Sequence, residues 1–211
     1  MIKNYFKIIW RNFIRDRQFT ILNLLGLSTG LACALLIYLW IADELNVDKY
    51  NEKDKQLYQV MENLKTEGGI KTITGTAGLL GKALAEEMPE VEYSVSVLPA
   101  SWFPFQGVVA NGETHIKAGG QYVSKDYFNA FTINFSEGDK NRLFTDKSSV
   151  AVSEELAQKL FNTTQNIIGK PLKWNQSEFG GSFIISGIFK KNPPSATDQF
   201  DLPVLDRKSV V

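Results

Sequence analysis

The chain has 211 residues, 44% of them apolar, with 23 basic side chains balanced by 23 acidic ones, one histidine and one cysteine. That length can bury the core of one or two domains, while so little cysteine and histidine excludes a disulfide scaffold and a zinc ribbon. A net charge of zero excludes a general nucleic-acid binder, which needs a basic surface to displace counterions.

The charge is segregated. Residues 1–18 carry Lys3, Lys7, Arg11, Arg15 and Arg17 against Asp16 alone, and residues 19–42 carry no Lys, Arg, Asp, Glu or His. A helix over 19–42 would rise about 36 Å at about 1.5 Å per residue, enough to cross a hydrocarbon core of roughly 30 Å. A cleaved signal peptide would have a shorter apolar stretch and a small-residue cleavage site. Here the run ends in Tyr38, Trp40, Asp43 and Glu44, aromatic and charged anchors that suit a retained transmembrane helix. The basic excess before the span, and Asp43, Glu44 and Asp48 after it, predict a cytoplasmic N-terminus with residue 43 onward outside.

Residues 1–18 are patterned as well as basic. Lys3, Lys7, Arg11 and Arg15 recur every four residues, and Ile2, Phe6, Ile9 and Phe13 form an apolar stripe. That pattern predicts an amphipathic helix in the headgroup layer, with membrane lipid as its partner. Within the span, Gly26 and Gly30 form a G-x-x-x-G that Ala34 extends by four residues, and Asn23 adds a polar group. Small residues let helix backbones approach closely, so these four are the candidate helix-packing positions.

Beyond residue 43 strands and helices alternate. The pattern predicts strands at 56–64 and 70–74, a helix over 76–88 closed by Pro89, and a strand at 91–98. Strands at 105–110 and 114–121 meet at Asn111-Gly112, a strong hairpin turn. A short helix at 125–130, a strand at 149–153 feeding a helix at 154–161, and a hairpin of 171–174 with 183–189 complete the prediction. The fold class is α+β, a βαβ part and a β-rich part following one transmembrane helix.

Chemistry is scarce. His115 alternates into a strand, and Cys33 sits in the span as a small hydrophobe. The pairs Glu86-Glu87 and Glu154-Glu155 read as solvated helix faces. Gly78-Leu79-Leu80-Gly81-Lys82 lacks the spacing of a phosphate loop. No catalytic, cofactor-binding or metal-ligating set is expected, and no enzyme.

The segments WRNFIRDRQFTILNLLGLSTGLA (10–32) and DELNVDKYNEKDKQLYQV (43–60) resemble the start of the MacB/FtsX-type ABC transporter permeases. Further matches run in the family's order: MPEVE (88–92), SVAVSEELAQKLF (149–161), IIGKPL (167–172) and GIFKKNPPSATDQFD (187–201). The departure is Ser195-Ala196-Thr197, where the family commonly shows Asn-Ser-His or similar. The resemblance implies a permease subunit of a bacterial inner membrane, with a MacB-like periplasmic core domain over 43–205. It implies a cytoplasmic ABC ATPase subunit as partner, and a homo- or heterodimer with another permease. ATP-driven closing of the membrane helices would then move the periplasmic domain, for export or for signalling. A single-pass, membrane-anchored binding module is the competing reading; it explains one helix and an outward domain but not the ordered motifs.

The resemblance also implies three further membrane helices, so the sequence reads as C-terminally truncated. Residues 206–211 are what GAT CGG AAG AGC GTC GTG encodes, TAG follows in that string, and the string is that of a sequencing-adapter oligonucleotide. The expectation is that 206–211 are adapter read-through and that the natural gene continues.

Overall fold

The computed structural model describes residues 2–101, 106–140, 143, 144, 146, 148–176 and 180–206, except the side chains of residues 2, 3 and 6. Residues 207–211, most of the stretch expected to be adapter-derived, lie outside the described residues. The chain divides into two compact units, Met1–Val47 and Asp48–Val211.

The first unit is two helices, α1 (Ile2–Arg15) and α2 (Arg17–Glu44). They are separated at Asp16, whose φ of −107° and ψ of 58° leave the helical region. The i to i−4 pattern survives on either side, with Asp16 N–H donating to the Asn12 carbonyl (3.1 Å) and Thr20 N–H to the Asp16 carbonyl (3.0 Å). The Ile14 carbonyl, at the end of α1, accepts from Arg17 Nε (3.3 Å), so the break is hydrogen-bonded rather than frayed. The helix α2 is 28 residues long and buries none of them, and it is apolar enough to cross a membrane. A core helix of that length would bury one face, so α2 needs lipid or other helices around it. The Ser28 hydroxyl donates to the Leu25 carbonyl (3.0 Å), which satisfies it without water.

The second unit opens with a 3-10 turn at Asp54–Gln56 and a hairpin of β1 (Glu62–Thr66) and β2 (Gly69–Ile73), which pair with each other. Then follow α3 (Leu80–Glu87), β3 (Val97–Leu98), β4 (Gln106–Asn111), β5 (Thr114–Val123) and α4 (Tyr127–Ala130). After them come β6 (Phe135–Gly138), β7 (Ser149–Ser153), α5 (Glu154–Phe161), β8 (Pro171–Asn175), β9 (Gly181–Phe189) and β10 (Leu202–Leu205).

Six of these strands close on themselves. The antiparallel run β5–β4–β8–β9 continues through a parallel β9–β7 pair and an antiparallel β7–β10 pair. A parallel β10–β5 pair (Leu202 with Gly120 to Leu205 with Val123) returns the ring to its start. Closure leaves few open strand edges; β3 extends β5 and β6 extends β9.

Residues from all six strands meet in one core, which a ring allows only in its interior. Val109, Ala118, Leu172, Trp174, Phe183, Ile185, Val150 and Leu202 gather there with Leu156, Ala157 and Leu160 of α5. The opposite strand face packs a second core of Val123, Ala151 and Phe189 against Tyr127, Phe128 and Phe200. A bulge in β9 sets which of its residues face which core, so Ile188 joins Phe183 and Ile185 while Phe189 faces the other side. Val150 faces Ile185 but Ala151 faces Gly187, so Ser186 is the extra residue, and its hydroxyl donates to the Val150 carbonyl (3.2 Å).

The α+β class holds, and 149–153, 154–161 and the Asn111-Gly112 hairpin fall where the pattern put them. Four boundaries are corrected. The strand expected at 56–64 begins only at Glu62, because β2 offers partners no further than Ile73 and residues 57–61 face no ladder. The strand expected at 91–98 shrinks to Val97–Leu98, the two residues that reach β5. The helix expected over 76–88 spans Leu80–Glu87; Met88 turns extended, as a residue before proline must. The helix at 125–130 is only Tyr127–Ala130.

At the centre of the ring the fully buried Trp174 donates its Nε1–H to the Tyr122 hydroxyl (2.8 Å). Its ring lies against Gly107, where an added Cβ would stand 2.7 Å from both the indole and the Asn175 carbonyl. Gly107→Ala should therefore lower stability by about 1–3 kcal/mol through overpacking. Gly68→Ala, with open space around it, should stay within about 0.5 kcal/mol. Denaturant titration of the detergent-solubilised chain, followed by tryptophan fluorescence, measures both.

Candidate functional site in the strap after α2

Three residues after α2 ends, the chain enters a strap, residues 48–53, that is fastened to distant parts of the second unit. Asp48 begins it with φ of 58°, a left-handed conformation that Asp and Asn tolerate better than most residues. That turn points its carboxylate at Thr197: Oδ1 accepts the Thr197 N–H (2.8 Å) and Oδ2 accepts the Thr197 hydroxyl (2.5 Å). The Asp48 N–H donates to the Ser195 carbonyl (3.1 Å). The Asp48 carbonyl accepts from the backbone N–H of Asn51 (3.2 Å) and from its Nδ2 (3.0 Å), which locks the turn from within.

Asn51 is buried, and its Oδ1 accepts the Thr132 N–H (3.1 Å). The Glu52 N–H returns to the Thr132 hydroxyl (2.9 Å). Lys53 completes the fastening. Its Nζ lies 3.2 Å from Glu92 and 4.5 Å above the ring of Tyr93. One short segment thus holds the 195–197 loop, Thr132 just beyond α4 and the stretch before β3.

The 195–197 loop leads directly to Asp201, which fixes its other end. The Asp201 carboxylate accepts the Gly119 N–H of β5 (3.0 Å) and contacts Lys191 Nζ (3.0 Å), which also pairs with Glu155 of α5 (3.0 Å). Ser153 caps α5 by accepting the Leu156 N–H (3.2 Å), and its own N–H donates to the Asp201 carbonyl (2.8 Å). The strap is therefore tied by side chains and backbone to the ring and to α5.

The electrostatics are those of partly dried polar groups. Burial, and then the Asp48 carboxylate, push Tyr50 up to about 12. Burial above all raises Tyr127. Burial, and then the charge on Asp48, hold Asp198 above the usual carboxylate range. Burial works against the Lys191 cation, but the carboxylates of Asp201 and Glu155 outweigh it and raise its pKa. Among the described residues no group of three His, Cys, Asp or Glu side chains could hold a metal ion, and His115 lies exposed on β5.

The helix-packing candidates Asn23, Gly26, Gly30 and Ala34 all lie exposed on α2, and a Cβ at either glycine would meet nothing within 4 Å. Asn23 lines the shallow groove inside the Asp16 bend together with Asn12, Asp16 and Thr20. Lys7, Arg11, Arg15 and Arg17 are exposed, and the Lys3 side chain lies outside the described residues. Of the strap residues the sequence pattern used only Asp48, as part of the acidic flank after the span, and not for any contact. Asp48, Asn51 and Lys53 fall within 43–60, and Thr197 falls in the triplet that departs from the family; Thr132 carries no sequence signal.

The family model of the MacB-like periplasmic core domain matches residues 20–210. The chain belongs to that family. It is thus a MacB-like periplasmic core domain of an ABC-transporter-type permease family, carried behind one N-terminal helix apolar enough to span a membrane. None of the curated proteins matches it. Among solved structures, a domain of a protein described as a permease, from Porphyromonas gingivalis, is similar at 17% identity and a TM-score of 0.55. That similarity covers 69% of this chain and 60% of that one. The periplasmic region of MacB from Actinobacillus actinomycetemcomitans is similar at 16% identity and a TM-score of 0.42, over 59% of this chain and 52% of that one. The extracellular domain of the ABC-type transporter YknZ from Gram-positive bacteria follows at 16% and 0.37, over 47% and 49%. The MacB-like chain thus spans about 60% of the first of these structures and about half of the other two.

Two substitutions separate the parts of the Asp48 turn. Asp48→Gly removes both bonds to Thr197 but suits the left-handed backbone, and should destabilise by about 1–3 kcal/mol. Asp48→Ala should be worse by about 1 kcal/mol, because its Cβ opposes the positive φ. Urea titration ranks them. Asp198 gives a pH test. Its folded pKa lies above its unfolded one, so the folded state binds the proton more tightly. Its contribution is most favourable at acid pH and is lost as pH rises through the folded value. Asp198→Asn should therefore stabilise the chain at pH 7 and leave it nearly unchanged at acid pH, as melting curves across that range would show.

Proposed function

We propose that the chain works as part of a permease-like subunit of a MacB/FtsX-type ABC transporter, in which hydrolysis on a cytoplasmic ATPase subunit moves the periplasmic domain for export or mechanotransmission. The strap is the observation that carries this reading. Only Leu45, Asn46 and Val47 separate α2 from Asp48, so displacement of the helix reaches a point fastened to the 195–197 loop, Thr132 and Glu92. A flexible linker would absorb such a displacement; a hydrogen-bonded strap passes it on. The basic flank of α1 and the acidic residues after α2 support a cytoplasmic N-terminus in a bacterial inner membrane, in contact with lipid. Gly26, Gly30, Ala34 and Asn23 would then pack against a second permease copy or another permease helix.

Hydrogen exchange on the chain reconstituted with its proposed cytoplasmic ATPase subunit tests the coupling. ATP should change exchange at the amides of Thr132 and Thr197 severalfold, and Asp48→Gly should abolish that response. Exchange indifferent to ATP would leave an anchored domain without coupling. Two simpler outcomes are also expected. Alkaline phosphatase fused after residue 60 should be active outside the cytoplasm. Gly30→Leu should weaken helix association in a membrane two-hybrid assay.

A further inference from the structure

We propose that the strap's hold on the loop carrying Thr197 and Asp198 is graded by pH, tightening as the medium acidifies, with Asp198 as the residue that takes up the proton. Two carboxylates meet there, because Asp48 is bonded through both of its oxygens to Thr197, the residue before Asp198. Asp48 receives two hydrogen bonds in that contact, and none reaches the half-buried Asp198 carboxylate. The salt bridges among the described residues include none to Asp48 or Asp198. The cations close by in sequence are engaged elsewhere or face solvent. Lys191 holds Asp201 and Glu155, Lys53 holds Glu92, and Lys49 and Lys190 are exposed. The other titratable groups around the pair are neutral: Tyr50 of the strap and Tyr127 of α4, which burial above all, and then the carboxylates, keep protonated. Beyond Tyr127, Gln121 of β5 donates its Nε2–H to the phenol oxygen (3.4 Å), and its buried Oε1 finds no donor. The cluster thus has more acceptors than donors and no cation of its own.

Two penalties fall on an ionised Asp198 while the strap is seated. Burial strips water from its carboxylate, and the Asp48 charge opposes it. Lifting the strap removes Asp48 and readmits water, so the ionised form favours the lifted strap and the protonated form the seated one. Because the folded-state pKa is raised, the seated strap binds the proton more tightly. Its hold is therefore greatest at acid pH and weakens as pH rises through the folded value. Every group involved lies in the second unit, so the fastening answers to pH with or without an ATPase.

Hydrogen exchange on the detergent-solubilised full chain at pH 7 and pH 5, corrected for intrinsic amide rates, tests this at single amides. Protection of the Thr197 amide, which donates to Asp48, and of the Thr132 amide, which donates to Asn51, should be severalfold higher at pH 5. Asp198→Asn should show the acid level of protection at both pH values. Dilute urea should leave the two amides nearly unaffected, since lifting a strap exposes little surface, while it accelerates exchange in β7. Protection that ignores pH in the unsubstituted chain would overturn the proposal. So would a pH response that survives in Asp198→Asn, because another group would then carry the proton. A urea dependence at Thr197 and Thr132 equal to that of β7 would overturn it in favour of unfolding of the whole unit.

Discussion

Closure of the strand ring by β10 is the constraint on which the rest of the second unit depends. That strand is four residues long, yet it pairs with β5 on one side and β7 on the other. Without it the ring would be an open sheet with two long edges, and the interior core would lose a wall. The loop that leads into β10 is the one that holds Asp48 and Lys191. The parallel β10–β5 register thus places both the core and the junction with one set of backbone bonds.

Core and junction are held by different forces. The ring interior is apolar and close-packed, with Trp174, Phe183 and Ile185 excluded from water, and such contacts do not release in pieces. The strap is fastened by polar bonds: no apolar side chain between Asp48 and Leu57 is fully buried. Each such bond contributes on the order of 1 kcal/mol.

The readable parts of the sequence were those with local causes. The apolar run became α2, Asn111-Gly112 became a turn because Gly112 takes φ of 59°, and Ser153 before Glu154 announced a capped helix. The illegible parts depend on partners far along the chain. β10 reads Leu-Pro-Val-Leu, too short and too proline-marked to announce a strand, and it forms because β5 and β7 flank it. Residues 91–96 alternate well and still form no strand, since a pattern supplies a face but not a neighbour. The site was harder still. Asp48 and Thr197 are 149 residues apart, and neither residue type signals the other. Asp48 was read only as an acidic residue after the span, and Thr197 lies in the triplet where the family resemblance lapses.

That separation also sets an order of events during synthesis. At roughly 5–20 residues per second, about 7–30 s pass between the emergence of Asp48 and that of the residue that fastens it. Throughout that interval α2 is complete, and the β4–β5 hairpin can form, because its two strands are neighbours in sequence. The strap must wait for Thr197, as must β10, which follows Thr197 within a few residues. The chain therefore passes through a stage in which the body of the domain is assembling at the end of a loose tether. The Asp48 turn closes only once Thr197, just ahead of the last strand of the ring, has arrived.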